Sequence, residues 1–279
     1  MRSIMRHCAP ALFCLIAVAS AHAQGLQRPW AACDNLSGEG GPASVVAGCT
    51  TVIDDGKSAP EGLSTAYRNR GAAYRALGDW TRSLADFGEA IRLTPRDAAL
   101  FYSRGNVHAS QRSYERAIAD YDEAIRLDPD YPQAYNNRGG VYHNQKNFAR
   151  ALADFDRALV IDPDYPAALS NRCAVRAALK QDLDKAMIDC GLSLRLRPNH
   201  MPTLDTRGLV DLLRRDYPAA MADYDAALRL DDEAFGALYG RGLAQLGLGR
   251  TEAGRADIAR ATAGDPTVAA YYELSGLRP

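Results

Sequence analysis

Between Phe148 and Ile161 the apolar residues Leu152, Phe155 and Leu159 fall three or four apart, the spacing of one helix face. Just upstream, Pro132–Asn144 reads as a first helix and Gln145, Lys146 and Asn147 as the turn that joins the two. Asp162-Pro163 stops the second helix, because the residue before a proline leaves the helical region and proline has no amide to continue it. The plan recurs along the chain. A glycine marks it at Gly71, Gly105 and Gly139, Cys173 takes its place once, and Gly208, Gly242 and Gly276 follow, at intervals of 34, 34, 34, 35, 34 and 34. Pro95, Pro129, Pro163, Pro198 and Pro266 keep step, with Asp232 where another proline is due. A large residue recurs at Phe87, Tyr121, Phe155, Tyr224 and Ile258, with Cys190 in the fourth copy, and a small one at Ala90, Ala124, Ala158, Ser193, Ala227 and Ala261. Self-similarity at this period predicts stacked helical hairpins, each burying its apolar face on its neighbours. The recurring glycine is expected where the two helices of a hairpin cross too closely for a side chain.

Tyr67, Gly71, Tyr74, Phe87, Ala90 and Pro95 in the first copy, and Tyr135, Gly139, Tyr142, Ala151, Phe155, Ala158 and Pro163 in the third, resemble the tetratricopeptide repeat pattern. The resemblance implies an all-α fold, a right-handed α-α superhelix (solenoid) of stacked helix-turn-helix repeats. Six repeats are expected at 64–97, 98–131, 132–165, 166–200, 201–234 and 235–268, with a C-terminal capping helix and tail over 269–279. Leu169, Leu204 and Leu238 replace the first aromatic in repeats four to six, and Gly254 replaces an alanine, so repeat six is expected to be the loosest.

One departure from the family pattern recurs in every copy. Arg70, Arg104, Arg138, Arg172, Arg207 and Arg241 stand where a leucine is usual, each matched by Asp86, Asp120, Asp154, Asp189, Asp223 or Asp257 just before the large residue. A charged ligand ladder would explain the series, but a ligand site rarely needs the same pair in every unit. Structural Arg–carboxylate bridges between helices are therefore expected, closed within or between repeats.

The first residues follow another rule. Arg2 and Arg6 precede the apolar run Ala9–Ala19, and Ala21-His22-Ala23 has the form of a cleavage site. Residues 1–23 read as a secretory signal peptide, too short in its apolar run to cross a bilayer. A periplasmic or secreted location follows, where disulfides persist. With Cys8 and Cys14 removed, four cysteines remain: Cys33, Cys49, Cys173 and Cys190. In the register, Cys173 and Cys190 occupy the glycine and aromatic slots that face each other in a hairpin, and a disulfide there replaces the usual contact. Cys33 and Cys49 have nearly the same separation, and 24–60 reads as a degenerate N-terminal capping hairpin with its own disulfide. Zinc or reactive thiols are the rival readings; both favour close C-x-x-C pairs, which the chain lacks.

The chain of 279 residues is 24% charged with a formal net charge of −1, which argues against nucleic acid as a partner. No catalytic constellation, phosphate-binding loop or metal motif stands out, and the reading is no enzyme and no cofactor. His108 and His143 lack a third ligand, and His200 is expected in a solvated turn. What remains is a surface. Residues flanking the Arg-small pair on the first helices form an expected partner-binding groove: Arg68, Asn69, Arg75, Tyr102, Ser103, Asn106, Asn136, Asn137, His143, Asn144, Ser170 and Asn171. In repeats five and six the matching positions are apolar: Leu209, Leu212, Leu213, Tyr239, Leu243 and Leu246. They mark a partner or self-association face, or contact with the chain's own C-terminal segment, the first being favoured. The expected function is a non-enzymatic envelope scaffold that binds a peptide or protein, without membrane insertion after signal cleavage. The alternative is a self-associating structural protein that uses the apolar face of repeats five and six.

Overall fold

The computed structural model describes residues 29–34 and 40–279. The expected signal peptide at 1–23 lies outside the described residues, as does most of the linker inside the N-terminal hairpin. The described residues are all-α, with no strand among them. They form two compact units, one ending at Pro129 and one running Asp130–Pro279.

The first unit holds α1 (29–33), α2 (Gly41–Asp55), α3 (Pro60–Ala76), α4 (Trp80–Leu93), α5 (Ala98–Ser110) and α6 (Tyr114–Leu127). α3 packs on α4 and α5 on α6 as antiparallel hairpins, and α2 stacks on α3. α3 starts at Pro60, four residues before the repeat boundary expected at Ser64, because Pro60 fits the first helical turn, where no intrahelical amide is needed. Cys33 and Cys49 are bonded, with Cα atoms 4.6 Å apart. Around that bond Val45, Val52, Ala66 and Ala73 are buried, with Trp30, Val46 and Ile53 packed against them.

The second unit holds α7 (Pro132–Asn144), α8 (Phe148–Ile161), α9 (Pro166–Leu179), α10 (Leu183–Leu196), α11 (Met201–Arg214), α12 (Tyr217–Leu230), α13 (Phe235–Gly247), α14 (Thr251–Gly264) and α15 (Val268–Leu274). Local chemistry sets these bounds. Asn147 and Asp216 cap α8 and α12 by accepting from the amides of Arg150 and Ala219. Asp162 and Asp265 turn extended ahead of Pro163 and Pro266 and end α8 and α14. The turn inside each hairpin carries a residue with positive φ: Gly78, Arg112, Lys146, Lys180, Arg215 and Gly249, again 34 or 35 apart.

The repeating glycine sits at a close crossing. A Cβ on Gly105 or Gly139 would stand 2.8 Å from the ring of Tyr121 or Phe155. In repeat four that contact becomes the Cys173–Cys190 disulfide, with Cα atoms 5.6 Å apart. Repeat six differs from the expectation of looseness. Cβ atoms built on Gly242 and Gly254 would each lie 2.8 Å from the other residue's carbonyl oxygen. The missing alanine lets α13 and α14 approach backbone to backbone instead of leaving a gap.

Candidate functional site

The six arginines and their aspartates meet inside each repeat. Nitrogens of Arg70 and Arg104 reach Asp86 and Asp120 at 2.8 and 2.6 Å. Arg138, Arg172, Arg207 and Arg241 reach Asp154, Asp189, Asp223 and Asp257 at 2.6–2.7 Å. Nε and Nη2 of each arginine donate to the two oxygens of one carboxylate, the planar fork geometry. In the first three repeats the aromatic three residues earlier covers the guanidinium, with Arg70, Arg104 and Arg138 lying 5.5–5.7 Å from the rings of Tyr67, Phe101 and Tyr135. Two arginines also reach back to the preceding repeat: Arg172 to Asp156 at 2.7 Å and Arg241 to Asp225 at 2.9 Å. Arg104 and Arg207 have Gly88 and Gly191 at that register, which offer no carboxylate.

In repeats two, four and six the residue four places after the arginine meets the same carboxylate, a feature the sequence reading missed. His108 Nε2 lies 3.9 Å from Asp120, Arg176 bonds Asp189, and Gln245 Nε2 donates to Asp257 at 3.2 Å. In repeat five this place holds Asp211, whose two oxygens are buried without a hydrogen-bond partner among the described residues. Burial first, then the nearby charges of Asp223 and Asp216, raise its carboxyl to about 6. The fixed spacing was the available signal.

The expected groove divides into residues that face out and residues that the fold consumes. Asn69 is a correction: it is 4% exposed, and its amide donates to the Cys33 carbonyl at 3.2 Å and to Asp34 at 3.1 Å. Asn136 and Ser170 are corrections of the same kind, 6% and 8% exposed. Asn136 accepts from Asn171 at 3.0 Å and donates to Asn137 at 3.0 Å, so these amides tie α7 to α9. Ser170 pairs with Thr203 at 2.7 Å, and His200 Nδ1 meets the same Thr203 hydroxyl at 2.7 Å, so His200 is held in place rather than solvated. Each of these three groove positions is met by the adjacent first helix or hairpin, and its polar group serves that contact. On the first unit Arg75 is exposed, with Arg68, Tyr102, Ser103 and Asn106 half-buried; Asn106 accepts from Tyr121 at 2.8 Å. On the second unit Asn144 is exposed, with Asn137, His143 and Asn171 half-buried. Burial lowers the pKa of His143, which is neutral at neutral pH.

The apolar positions of repeats five and six are largely occupied from within. Leu209, Leu212, Tyr239 and Leu243 are buried. Tyr272 of α15 stacks on Tyr239, ring centroids 5.0 Å apart, and Leu277 packs on the same core. The favoured reading of this face as open to a partner or to self-association is therefore corrected: the C-terminal segment covers it, because a truncated seventh hairpin still brings its own aromatic in register. A cavity of about 430 Å3 remains beneath the tail, lined by Leu212, Leu213, Tyr217, Leu243, Leu246 and Leu277 among others.

Among the described residues no three His, Cys, Asp or Glu side chains gather as a metal site, and no helix is long and apolar enough to cross a membrane. Family comparison then decides the class. A TPR repeat profile matches residues 71–112 and 105–146, and tetratricopeptide repeat profiles match 132–165 and 206–273. The chain belongs to the tetratricopeptide repeat family. Among solved structures, this tetratricopeptide repeat chain is similar to YrrB, described as a TPR protein with an unusual peptide-binding site, at 22% identity over 67% of this chain and 97% of YrrB, TM-score 0.55. It is similar to pilF of Pseudomonas aeruginosa at 18% identity over 78% of this chain and 98% of that one, TM-score 0.68. A tetratricopeptide repeat protein from Parabacteroides merdae aligns over 91% of this chain and 99% of its own at 16% identity, TM-score 0.66. Such identities speak for a shared fold. No curated protein matches the chain. Tetratricopeptide repeats build protein-interaction scaffolds.

Proposed function

We propose that the chain is an exported, non-enzymatic scaffold of the cell envelope that holds an extended peptide or protein segment on the first-helix faces of its repeats. The observation that carries this reading is membership of the tetratricopeptide repeat family together with first-helix faces that keep Arg68, Arg75, Tyr102, Ser103, Asn137 and Asn144 at least partly exposed. Amide and guanidinium groups hydrogen-bond the backbone of an extended chain without demanding its sequence. The likeness to YrrB, described with a peptide-binding site, and to PilW, described as a type IV pilus biogenesis factor, supports the class of partner. Two disulfides and the leader-like first residues support an oxidising compartment.

The test is selection of extended peptides from a random library on the mature chain, with affinities then read by fluorescence anisotropy. The double variants Arg68→Ala/Arg75→Ala and Asn137→Ala/Asn144→Ala, both checked for helicity, are each expected to weaken the selected peptides by roughly tenfold or more when their unit carries the site. Unchanged affinity in both variants overturns the assignment of these faces, and failure to select any peptide overturns the reading itself.

A further inference from the structure

Asp205, on α11 in repeat five, carries a carboxylate with no ion-pair partner among the described residues. Its Oδ1 is buried and has no hydrogen-bond partner among the described residues. With Met201, Pro202, Ala234, Gly236 and Ala237 it lines a cavity of about 300 Å3, and it is the one charged side chain among those residues. Gly236 keeps the approach open, since a Cβ there would stand 3.7 and 3.8 Å from the two carboxylate oxygens. The titratable groups that face Asp205 are the phenols of Tyr224, Tyr271 and Tyr272, whose ionisation its charge opposes. Tyr272 Oη donates to the Gly236 carbonyl at 2.9 Å and lies 3.4 Å from Tyr224 Oη, so that phenol is engaged elsewhere. Burial alone raises the Asp205 carboxyl to about 6, with no cation among the described residues to hold it down. A carboxylate kept in apolar surroundings without a counter-charge destabilises its site until a cation reaches it.

We propose that this cavity binds a primary ammonium group on a short aliphatic stem, the chemistry that a lysine side chain or a linear diamine presents. The Asp205 carboxylate takes the ammonium head, and Met201, Pro202, Ala234 and Ala237 flank the methylenes. A guanidinium fits less well: it carries five N–H donors, and the lining offers one acceptor side chain, whereas an ammonium carries three donors. Anions are repelled by the carboxylate. The site goes beyond the peptide-binding reading above and shares no residue with it, so either can fail alone.

The experiment titrates the mature chain with n-butylammonium, with cadaverine and with N-acetyl-lysine-N-methylamide, at about pH 7.5, well above the Asp205 titration. Calorimetry and the NMR shift of the Asp205 carboxyl carbon report binding; n-butanol and n-butylguanidinium serve as controls. Saturable binding of the ammonium ligands is expected, weakened roughly tenfold or more in Asp205→Asn. It is also expected to fade as pH falls through about 6, and to draw the carboxyl back toward the ordinary carboxylate range. Gly236→Ala, which keeps the charge and narrows the approach, is expected to weaken binding without lowering thermal stability. Tighter binding of the lysine derivative than of cadaverine identifies a protein side chain as the source, and the reverse order a free diamine; both support the site. The proposal is overturned by absence of saturable binding, by n-butanol binding as well as n-butylammonium, or by equal binding in folded Asp205→Asn.

Discussion

Asp211 stands four residues after Arg207, where the other repeats set Tyr74, His108, Tyr142, Arg176 and Gln245 after theirs. A second acid at this place puts two carboxylates, Asp211 and Asp223, beside Arg207, with Arg214 3.8 Å away and Asp216 also near. Its carboxyl is raised from 3.8 to about 6, so between those values the folded state holds a proton that the unfolded chain has released. The stability tied to that proton is present below the unfolded value and is lost as pH rises through about 6. Asp211→Asn is therefore expected to stabilise the protein by about 1 kcal/mol at about pH 7.5 and to change little at about pH 4, since the amide removes only the charged form. Urea melts of both proteins across that range check the sign. A variant destabilised at the higher pH would show that Asp211 is compensated in a way its surroundings do not reveal. The position is visible in the sequence as a spacing, but its chemistry differs in nearly every repeat, and a pattern search for one residue type passes over it.

At the scale of the helical hairpin, the period in residue type and the period in backbone shape do not coincide. The helices, the glycine–aromatic crossings and the Arg–Asp pairs were legible because each rests on one residue type repeated in register. The left-handed turn residue was not. Gly78 and Gly249 occupy it in the first and last repeats, but Arg112, Lys146, Lys180 and Arg215 hold it between them, with φ of 53–61°. A side chain in that conformation costs about 1 kcal/mol relative to glycine, an expense tolerated because the turn is fixed by the helices on both sides. Lys146→Gly is accordingly expected to raise stability by about 0.5–1 kcal/mol, read as an upward shift in the thermal midpoint. Gly78→Ala should shift it downward. A fall in the first variant would mean that the lysine side chain makes a contact worth more than the backbone preference. The groove was only half legible for a related reason. Helical spacing says which face a residue shares, not which neighbour covers it, and Asn69, Asn136 and Ser170 became internal struts once the adjacent elements were in place.

For the molecule as a whole, the C-terminal segment is the element whose role the linear pattern left open. Leucines along α11 and α13 read as a docking face or as a seat for the chain's own end, the docking face being favoured, and the position of Tyr272 on Tyr239 decides for the seat. Removing residues 267–279 is expected to uncover Tyr239 and Leu243, lower stability by about 2–4 kcal/mol and promote association, since a fully buried aromatic is lost and an apolar patch appears. Light scattering and dye binding measure both effects, and a truncated chain that stays monomeric and equally stable would remove the capping role assigned to α15. The Cys173–Cys190 bond has a consequence for how the protein must be made. Two sulfur atoms stand where neighbouring repeats place a ring, and unlinked they fill too little volume to hold α9 against α10. Synthesis under reducing conditions therefore yields a chain weakened at its fourth module and open to proteases there, whereas an oxidising environment completes it; thiol oxidation becomes a step in forming the stable fold.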